Sequence, residues 1–297
     1  MEINMLDFRI QTFLIVCEYM SFTKAAFALN LTQPAISQHI HVLEEQYGKK
    51  LFTLSKRQIS LTKEGESLRQ FAHSMSIDIK RFNHVFDQYG KEETISFGAT
   101  LSIGEFTLPP ILTSIMKVNR ERKITMHVNN TEKLLSMIDK GEIDFAFIEG
   151  SFNKSNYSYR LFSMERFIAV GSLLAKEKYT HHSLKQIMDE RLLVREKGSG
   201  TRAVLEDILQ QTGLTIESFS HVDTIGNLNV IKRLVSEDLG ISFLYETAAK
   251  EAIRMGILHE IPLTNFTVKR EFNFVYSLNS SFEDTFLGFF NECKAIH

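Results

Sequence analysis

Residues 22–44 read FTKAAFALNLTQPAISQHIHVLE, and this stretch decides the fold of the N-terminal part of the chain. Small apolar residues recur there at helical spacing, and Ser21 precedes them as an N-cap. A short turn at residues 30–31 leads to Thr32, which can cap a second helix, and Pro34 falls in the first turn of that helix. The pattern predicts a helix-turn-helix, and an ordinary amphipathic helical hairpin is the alternative.

The second helix of this motif has one apolar face and one polar face. Its predicted apolar stripe consists of Ala35, Ile36, Ile40, Leu43 and Tyr47. The opposite face carries short polar groups that can hydrogen-bond base edges in the major groove of DNA. The predicted DNA-binding residues of the two helices and their caps are Ser21, Thr23, Thr32, Gln33, Pro34, Ser37, Gln38 and His41.

These residues resemble the N-terminal domain of LysR-type transcriptional regulators, which implies a sequence-specific DNA-binding protein. The resemblance rests on SFTKAAFALNLTQPAISQHIHVLEEQYGKKLF followed by ISLTKEGE, and it extends without a gap from residue 6 to residue 65. The chain departs from the usual pattern at Leu54, where Arg is common, and at Gln38 and His39, where Arg-Gln is frequent. Both departures remove positive charge near DNA, so salt dependence cannot be transferred from relatives.

A basic hairpin, or wing, is predicted directly after the motif. Short strands at residues 51–52 and 59–61 flank a turn with Lys56 and Arg57, the two remaining predicted DNA-binding residues. Such a tip suits backbone phosphates or the minor groove, and a solvated charged turn is the alternative. The whole chain has a net charge of −2, but residues 49–63 are basic and contain no acid, so the predicted cationic surface is local.

Residues 63–89 form a long run without Pro that predicts one continuous helix. Its apolar positions recur at near-heptad spacing and are Leu68, Phe71, Met75, Ile79, Phe82, Phe86 and Tyr89. So narrow a seam is typical of a helix that pairs with another helix. It predicts a dimerisation helix, and a two-fold dimer predicts a pseudo-palindromic operator in double-stranded DNA.

After a polar hinge at residues 90–94, strands alternate with helices. Predicted strands cover residues 95–99, 124–128, 145–148, 167–170, 191–194, 241–244 and 272–276. Predicted helices cover residues 106–118, 132–140, 201–211, 228–236, 247–254 and 283–294. Helices of this length between strands predict a parallel sheet built from right-handed βαβ units.

The LysR-type resemblance implies that the second half is an effector domain of two α/β lobes with a cleft between them, like a periplasmic binding protein. Crossovers between the lobes are expected at residues 162–166 and 262–269. The expected fold class is therefore α/β, with a winged helix-turn-helix, a linker helix and this two-lobed domain. The expected bounds are 1–62 for the DNA-binding domain, 63–90 for the linker helix and 91–297 for the effector domain, with lobe 1 at 94–163 and 268–297 and lobe 2 at 164–267.

Hydroxyl-bearing residues occur where predicted strands end and helices begin, which is where open α/β sheets place ligands. Such segments lie at residues 100–104, 195–202 and 224–227. Each offers hydroxyls and backbone N–H groups at a helix N-terminus, which favours an anion. The predicted effector-binding residues are Thr100, Ser102, Glu149, Ser199, Gly200, Thr201, Arg202, Thr224 and Asn227.

Other roles are open for some of these residues. The hydroxyls of Ser199 and Thr201 could be plain helix caps, as could those of the first segment. Glu149 could face the cleft or could orient Arg195 as a supporting group. The segments REKGSGTR and IGEFTLPP resemble the branch of the family that includes regulators of sulfur assimilation and carbon fixation. That resemblance implies a small anion or a phosphorylated metabolite as the effector.

Other classes of site lack the necessary residue patterns. The 10 histidines have no Cys or carboxylate partners at zinc-ligand spacing, and no nucleophile elbow is present. No metal, cofactor or catalytic residue is therefore expected. Cys17 and Cys293 are expected to be buried reduced thiols, with redox sensing as the alternative.

The main hypothesis is a cytoplasmic transcriptional regulator that binds DNA as a dimer of dimers and responds to a small anionic effector between its lobes. No secretion signal or membrane-spanning run is found in the sequence, so no membrane partner is expected. The alternative is an enzyme or a solute-binding protein on the same two-lobed scaffold, with the N-terminal helices serving only assembly. An enzyme would need convergent catalytic groups and a solute-binding protein an export signal, and the sequence shows neither.

Overall fold

The computed structural model describes residues 5–55, 58–87 and 94–297. Contacts divide the chain into two compact units, namely Met1–Lys91 with Ser277–Glu283, and Glu92–Tyr276 with Asp284–His297. Within the described ranges, no helix combines the length and the apolar character that crossing a membrane requires.

The first unit is a winged helix-turn-helix followed by a long helix. Its elements are α1 (Phe8–Tyr19), α2 (Phe22–Ala28), α3 (Gln33–Tyr47), β1 (Phe52–Ser55), β2 (Gln58–Leu61) and α4 (Lys63–Asp87). The two predicted caps are confirmed: the Ser21 hydroxyl accepts from the backbone N–H of Lys24, and the Thr32 hydroxyl accepts from that of Ala35. Gly48, in the left-handed region, ends α3.

Apolar side chains of the three short helices form the core of this unit. Its buried members are Phe13, Val16, Ala25, Ala26, Ile36, Ile40, Leu43 and Leu51. Tyr47 is half exposed, so the prediction that it continues the apolar stripe of α3 is wrong. The chain turns at Gly48 directly after it, and Leu51 enters the core instead.

Glu44 ties α3 to the wing, the hairpin of β1 and β2. Its Oε1 accepts from the backbone N–H of Leu51 at 2.9 Å, and its Oε2 accepts from the ammonium of Lys50 at 2.5 Å. Burial raises the pKa of this carboxyl, but the hydrogen bonds from Lys50, Leu51 and Phe52 outweigh burial, and the net shift is downward. The ionised carboxylate therefore holds the first strand of the wing against α3.

One side of α4 is exposed along the predicted seam. Phe71, Met75, Phe82 and Phe86 are all exposed, and the rings of Phe82 and Phe86 stack with centroids 5.7 Å apart. Tyr89, the last predicted seam position, lies outside the described residues. A row of large apolar side chains in water is typical of a surface that binds a partner.

Residues 94–297 contain the remaining strands and helices. In chain order these are β3 (Thr94–Ala99), α5 (Leu108–Val118), β4 (Lys123–Val128), α6 (Thr131–Asp139), β5 (Phe145–Glu149), β6 (Tyr157–Gly171), α7 (Leu173–Tyr179), β7 (Arg191–Val194), α8 (Gly200–Gln211), β8 (His221–Thr224), α9 (Leu228–Ser236), β9 (Ser242–Tyr245), α10 (Glu246–Arg254), β10 (His259–Glu260), β11 (Val268–Ser277) and α11 (Glu283–Ile296). A π-helical turn, Ile103–Thr107, leads into α5.

A seven-stranded mixed sheet has the strand order β10-β6-β11-β5-β3-β4, with β9 also paired to β6. In the first lobe, β3 is parallel to β4 and β5, as the βαβ pattern predicts, whereas β11 is antiparallel to β5. In the second lobe, β7 and β8 form a separate parallel pair. The long strands β6 and β11 belong to both lobes, because β11 ends beside β5 while β6 ends beside β9 and β10.

The sequence predicts the lobe crossovers only in part. It predicts a strand at residues 167–170, whereas β6 spans 15 residues and includes the expected first crossover at 162–166. The charged residues Glu165 and Arg166 interrupt the apolar pattern and hide the strand. The second expected crossover, residues 262–269, covers the loop before β11 and the first two residues of that strand, and β11 then reaches β5 of the first lobe.

The two lobes meet at Gly150 and Gly200, where their backbones come too close for side chains. A Cβ added to Gly200 would lie 2.2 Å from the carbonyl oxygen of Glu149, and one added to Gly150 would lie 2.6 Å from the Cα of Gly200. The Thr131 hydroxyl donates to the same carbonyl at 2.9 Å. Gly200 therefore permits lobe-to-lobe packing.

A second contact between the lobes is apolar. Leu101 and Phe106, which follow β3, pack against buried side chains of β6, α9 and α10. The ammonium of Lys232 in α9 lies 4.1 Å from the centre of the Phe106 ring and donates to the carbonyl of Ala248. The lobes are thus in contact on both sides of the end of β3.

We expect Gly200→Ala to lower the free energy of unfolding of the effector domain by about 1–3 kcal/mol, because the new Cβ would overlap the Glu149 carbonyl. Gly288→Ala in α11 is the matched control, since a Cβ there meets nothing within 4 Å. That change should raise the free energy of unfolding by up to ~1 kcal/mol. Urea denaturation followed by circular dichroism measures both, and equal stability of the two variants would contradict the contact.

Candidate DNA-binding and effector-binding sites

The outer face of α3 carries the polar side chains that are predicted to read DNA. Gln33, Gln38 and His41 are exposed, and Ser37 is half-buried beside them. The Gln33 amide donates to the Ser37 hydroxyl at 2.8 Å, and His41 Nε2 lies 3.3 Å from Glu45 Oε1. These bonds lie at the surface, so base edges in a major groove can replace them.

The other predicted DNA-binding residues lie at the helix starts and on the wing. Ser21 and Thr32 hold their capping bonds, and Thr23 and Pro34 are exposed in the first turns of α2 and α3. Two predicted contacts lie outside the described residues, namely Lys56 and Arg57. The structure therefore arranges the α2 and α3 contacts on one small motif and describes no side chain at the wing tip.

Two positions that depart from the family pattern have separate roles. His39 shares a hydrogen bond with the Thr12 hydroxyl at 2.9 Å and packs edge-on against Phe8, so it joins α3 to α1. Leu54 on the wing is 77% exposed and offers no charge to a phosphate. An Arg at residue 54 would bring a positive charge to the wing, and Leu54 does not.

Four buried polar residues converge where the lobes meet. Thr100 and Ser102 follow β3, Glu149 ends β5 and Thr201 begins α8, and none is more than 2% exposed. The Thr201 hydroxyl donates to Glu149 Oε1 at 2.5 Å. Among the described residues, Thr100 Oγ1, Ser102 Oγ and Glu149 Oε2 make no hydrogen bond of normal geometry, although both hydroxyls lie near enough to the Glu149 carboxyl group to favour its charged form. These four residues are called the hydroxyl cluster below, and its unpartnered atoms are suited to hold a polar ligand.

The carboxyl group of Glu149 is the centre of this cluster. Burial raises its pKa, and the hydroxyls of Thr201 and Ser102, the charge of Arg195 and the hydroxyl of Thr100 oppose that shift without cancelling it. The neutral acid is therefore more favoured than it is for a carboxyl group in water. A neutral carboxyl group can donate one hydrogen bond, whereas a carboxylate only accepts.

Both buried arginines near the cluster are held by acids of their own lobe. Arg195 donates to both carboxylate oxygens of Glu196, at 2.7 and 2.8 Å, so its direct hydrogen bonds go to Glu196, while its charge still acts on Glu149. Adjacent residues pair most easily, and Glu196 directly follows Arg195. Arg202 donates to Glu206 one turn further along α8 and to the carbonyl of Arg195.

Three predicted effector-binding residues lie apart from the cluster. Ser199 is buried at the start of α8 but makes no capping hydrogen bond, so its alternative as a plain helix cap is not observed. Thr224 and Asn227 are exposed, and the side chain of Asn227 caps α9 by accepting from Asn229 and Val230. The structure therefore leaves Thr224 and Asn227 in solvent, with the side-chain oxygen of Asn227 used to cap α9.

Tyr245 is a functional candidate that the sequence analysis misses. Its ring is fully buried, and its hydroxyl has no hydrogen-bond partner among the described residues. Burial raises the pKa of Tyr245, and the charge of nearby Glu149 raises it further. Tyr245 ends β9 directly before α10, and this is the same strand-to-helix position that identifies Thr100 and Ser102.

The two cysteines are not placed for thiol chemistry. Cys17 is half-buried and Cys293 is fully buried, and both are free. Burial raises the pKa of each thiol to about 12. Reactive thiols need a low pKa and access, so these side chains act as apolar core residues.

Comparison with known proteins also divides the chain into an N-terminal helix-turn-helix and a C-terminal ligand-binding domain. Residues 9–66 match the family described as bacterial regulatory helix-turn-helix protein, lysR family, and residues 89–294 match the LysR substrate binding domain. The chain is 29% identical to the HTH-type transcriptional regulator CysL of Bacillus subtilis over 275 residues, which cover 90% of each chain. It is 26% identical to the RuBisCO operon transcriptional regulator of Acidithiobacillus ferrooxidans over 272 residues, covering 90% of this chain and 86% of that one.

A solved structure shares the fold of the second half. The CcmR regulatory domain of Synechocystis in complex with 2-PG superposes with a TM-score of 0.61 at 16% identity, covering 69% of this chain and 97% of that one. CysL and the RuBisCO operon regulator confirm the resemblance of residues 195–202 to the branch that includes regulators of sulfur assimilation and carbon fixation. With a lysR-family helix-turn-helix followed by a LysR substrate binding domain, the chain belongs to the LysR-type family of DNA-binding transcriptional regulators.

Proposed function

We propose that this LysR-type regulator is a cytoplasmic dimer of dimers that binds a pseudo-palindromic operator and changes its DNA binding when a small anion enters the hydroxyl cluster. The observation that supports this effector site most strongly is the group of unpartnered polar atoms buried between the lobes. We assign residues 1–62 to DNA binding, 63–90 to dimerisation and 91–297 to effector binding. No catalytic role is assigned, because the relatives are transcriptional regulators.

The N-terminal residues of α3 are proposed to read bases. Recognition helices insert their N-terminal end into the major groove, and Gln33, Ser37 and Gln38 lie there on the exposed face. A glutamine amide can pair bidentately with adenine. The caps at Ser21 and Thr32 set the starts of both helices and so orient this face.

We expect Gln33→Ala or Gln38→Ala to weaken specific operator binding by roughly 1–3 kcal/mol and to relax preference at one base position per half-site. Gln46→Ala is the matched control, because Gln46 is an exposed glutamine two turns further along α3. Gel-shift titrations over single-base operator variants measure the effect. A specificity profile that is unchanged in both variants would remove these residues from the reading set.

The exposed seam of α4 is proposed to pair with the same helix of a second subunit. Phe71, Met75, Phe82 and Phe86 are large apolar side chains at near-heptad spacing, and burying them against a partner is favourable. A two-fold pair of this kind would present two reading helices to two half-sites.

We expect Phe82→Asp to weaken dimerisation by about 3 kcal/mol or more, because the dimer would bury a carboxylate with no partner. Phe82→Leu, which keeps an apolar side chain, should retain the dimer. Sedimentation equilibrium gives the association constants, and circular dichroism checks that both variants are folded. Wild-type assembly and wild-type operator affinity in Phe82→Asp would show that the seam does not pair the subunits.

The hydroxyl cluster is proposed to bind the effector anion. Thr100 and Ser102 supply hydroxyl donors from one lobe, and Thr201 of the other lobe can turn its hydroxyl from Glu149 to a ligand, so a ligand between them favours one degree of lobe closure. The 2-PG complex of the CcmR regulatory domain supports a small anionic effector in this fold. Regulation needs a differential free energy of typically ~1–3 kcal/mol between the two states of DNA binding.

We expect Ser102→Ala and Thr201→Ala to weaken anion binding at least about tenfold each, because each removes a charge-assisted hydrogen bond. Operator affinity without effector should not change. Ser236→Ala is the control, since that hydroxyl bonds the Arg233 carbonyl within α9. Calorimetric titration with a panel of inorganic and organic anions is the test. Failure of every anion to bind the wild-type protein would refute the proposal.

A further inference from the structure

Glu149 places a carboxyl group among the donors that an oxyanion effector would use. Thr201 already donates to Glu149 Oε1, while Oε2 and the hydroxyls of Thr100 and Ser102 have no partner among the described residues. A carboxylate at this position would repel an anion at short range, because charges in a buried site are weakly screened. A neutral carboxyl group would instead add one more donor beside the hydroxyls of Thr100 and Ser102.

We propose that the hydroxyl cluster takes up its anionic effector together with one proton, which resides on Glu149, so that effector affinity falls as pH rises. The inference rests on the proposed function, since it concerns the same site. The proton comes from solvent when Glu149 is ionised in the free protein, and no bond other than the O–H bond forms. The regulator would thus respond to anion concentration and to pH through a single carboxyl group.

Among the described groups that face Glu149, none can take up the proton in its place when the anion binds. From the segment after β3 come only the hydroxyls of Thr100 and Ser102, and from α8 comes that of Thr201. Arg195, after β7, already pairs with Glu196. These neutral and paired groups cannot remove the negative charge of Glu149 when a second anion arrives.

At the end of β9, the hydroxyl of Tyr245 is a further neutral group near Glu149. The Tyr245 hydroxyl has a raised pKa, caused first by burial and then by the charge of Glu149, so it stays protonated across the physiological range. Arg270 and Glu165 act on Tyr245 with opposite signs. Burial likewise raises the pKa of Glu149, which favours the protonated form that the anion needs.

The sign of the pH dependence follows from linkage. Below the pKa of Glu149 in the free protein, the acid is already protonated and effector affinity is constant. Above that pKa, binding must also bring in a proton, so affinity falls about tenfold for each pH unit. A raised pKa extends the constant region to higher pH than an ordinary glutamate would allow.

Calorimetric titration with sulfate from about pH 5 to about pH 9 tests this, because sulfate keeps one charge state there and any proton taken up on binding therefore goes to the protein. Repeating each titration in buffers of different ionisation enthalpy counts the protons taken up. Wild type should take up one proton per sulfate at the high-pH end. Glu149→Gln should bind sulfate without proton uptake and without pH dependence, whereas Glu132→Gln, an exposed acid at the start of α6, should behave as wild type.

Each other outcome is decisive. Sulfate binding to wild type with no proton uptake at a pH where Glu149 is ionised in the free protein would overturn the inference while supporting the proposed site. Retained proton uptake in Glu149→Gln would assign the proton to another group. If wild type never binds an anion but Glu149→Gln does, the carboxylate is a permanent occupant of the site and the inference is wrong. If neither protein binds any anion of the panel, the proposed function itself fails.

Discussion

Glu149 brings a carboxyl group to the junction of the two lobes, where its main-chain carbonyl also receives the Thr131 hydroxyl and lies against Gly200. Burying such a group has a free-energy cost that hydrogen bonds must offset. The Thr201 hydroxyl bonds one oxygen, but the other oxygen has no partner among the described residues. Each unpartnered buried polar atom costs about 1–3 kcal/mol. A ligand that bonds these atoms recovers that free energy, which is why the closed cleft favours a polar occupant.

The DNA-binding unit differs from the lobe junction in its polar groups. Those that fix its structure have hydrogen-bond partners, and those that are predicted to contact DNA are exposed to solvent. Capping bonds from Ser21 and Thr32 fix where α2 and α3 begin, and Glu44 fixes the wing with its carboxylate. The reading face of α3 is left in solvent, where exchange of water for base edges has little net cost. The two halves of the protein therefore recognise their partners by different means.

The sequence predicts features that depend on neighbours in the chain. The caps, the turn before Thr32 and the parallel β3, β4 and β5 follow from local pattern, and all are confirmed. Features that depend on which of several possible partners a polar or charged side chain takes are not predictable in this way. The β6 strand is hidden by Glu165 and Arg166, Asn227 is used by its own helix, and Arg195 pairs with its neighbour instead of Glu149.

The central claim is that an anion binds within the hydroxyl cluster. A crystal structure of the full chain grown with sulfate tests it most directly. One sulfate is expected within hydrogen-bond distance of the hydroxyls of Thr100, Ser102 and Thr201, next to the carboxyl group of Glu149. A sulfate bound instead at the start of α9 beside Asn227, with the hydroxyl cluster unchanged and closed, would contradict it.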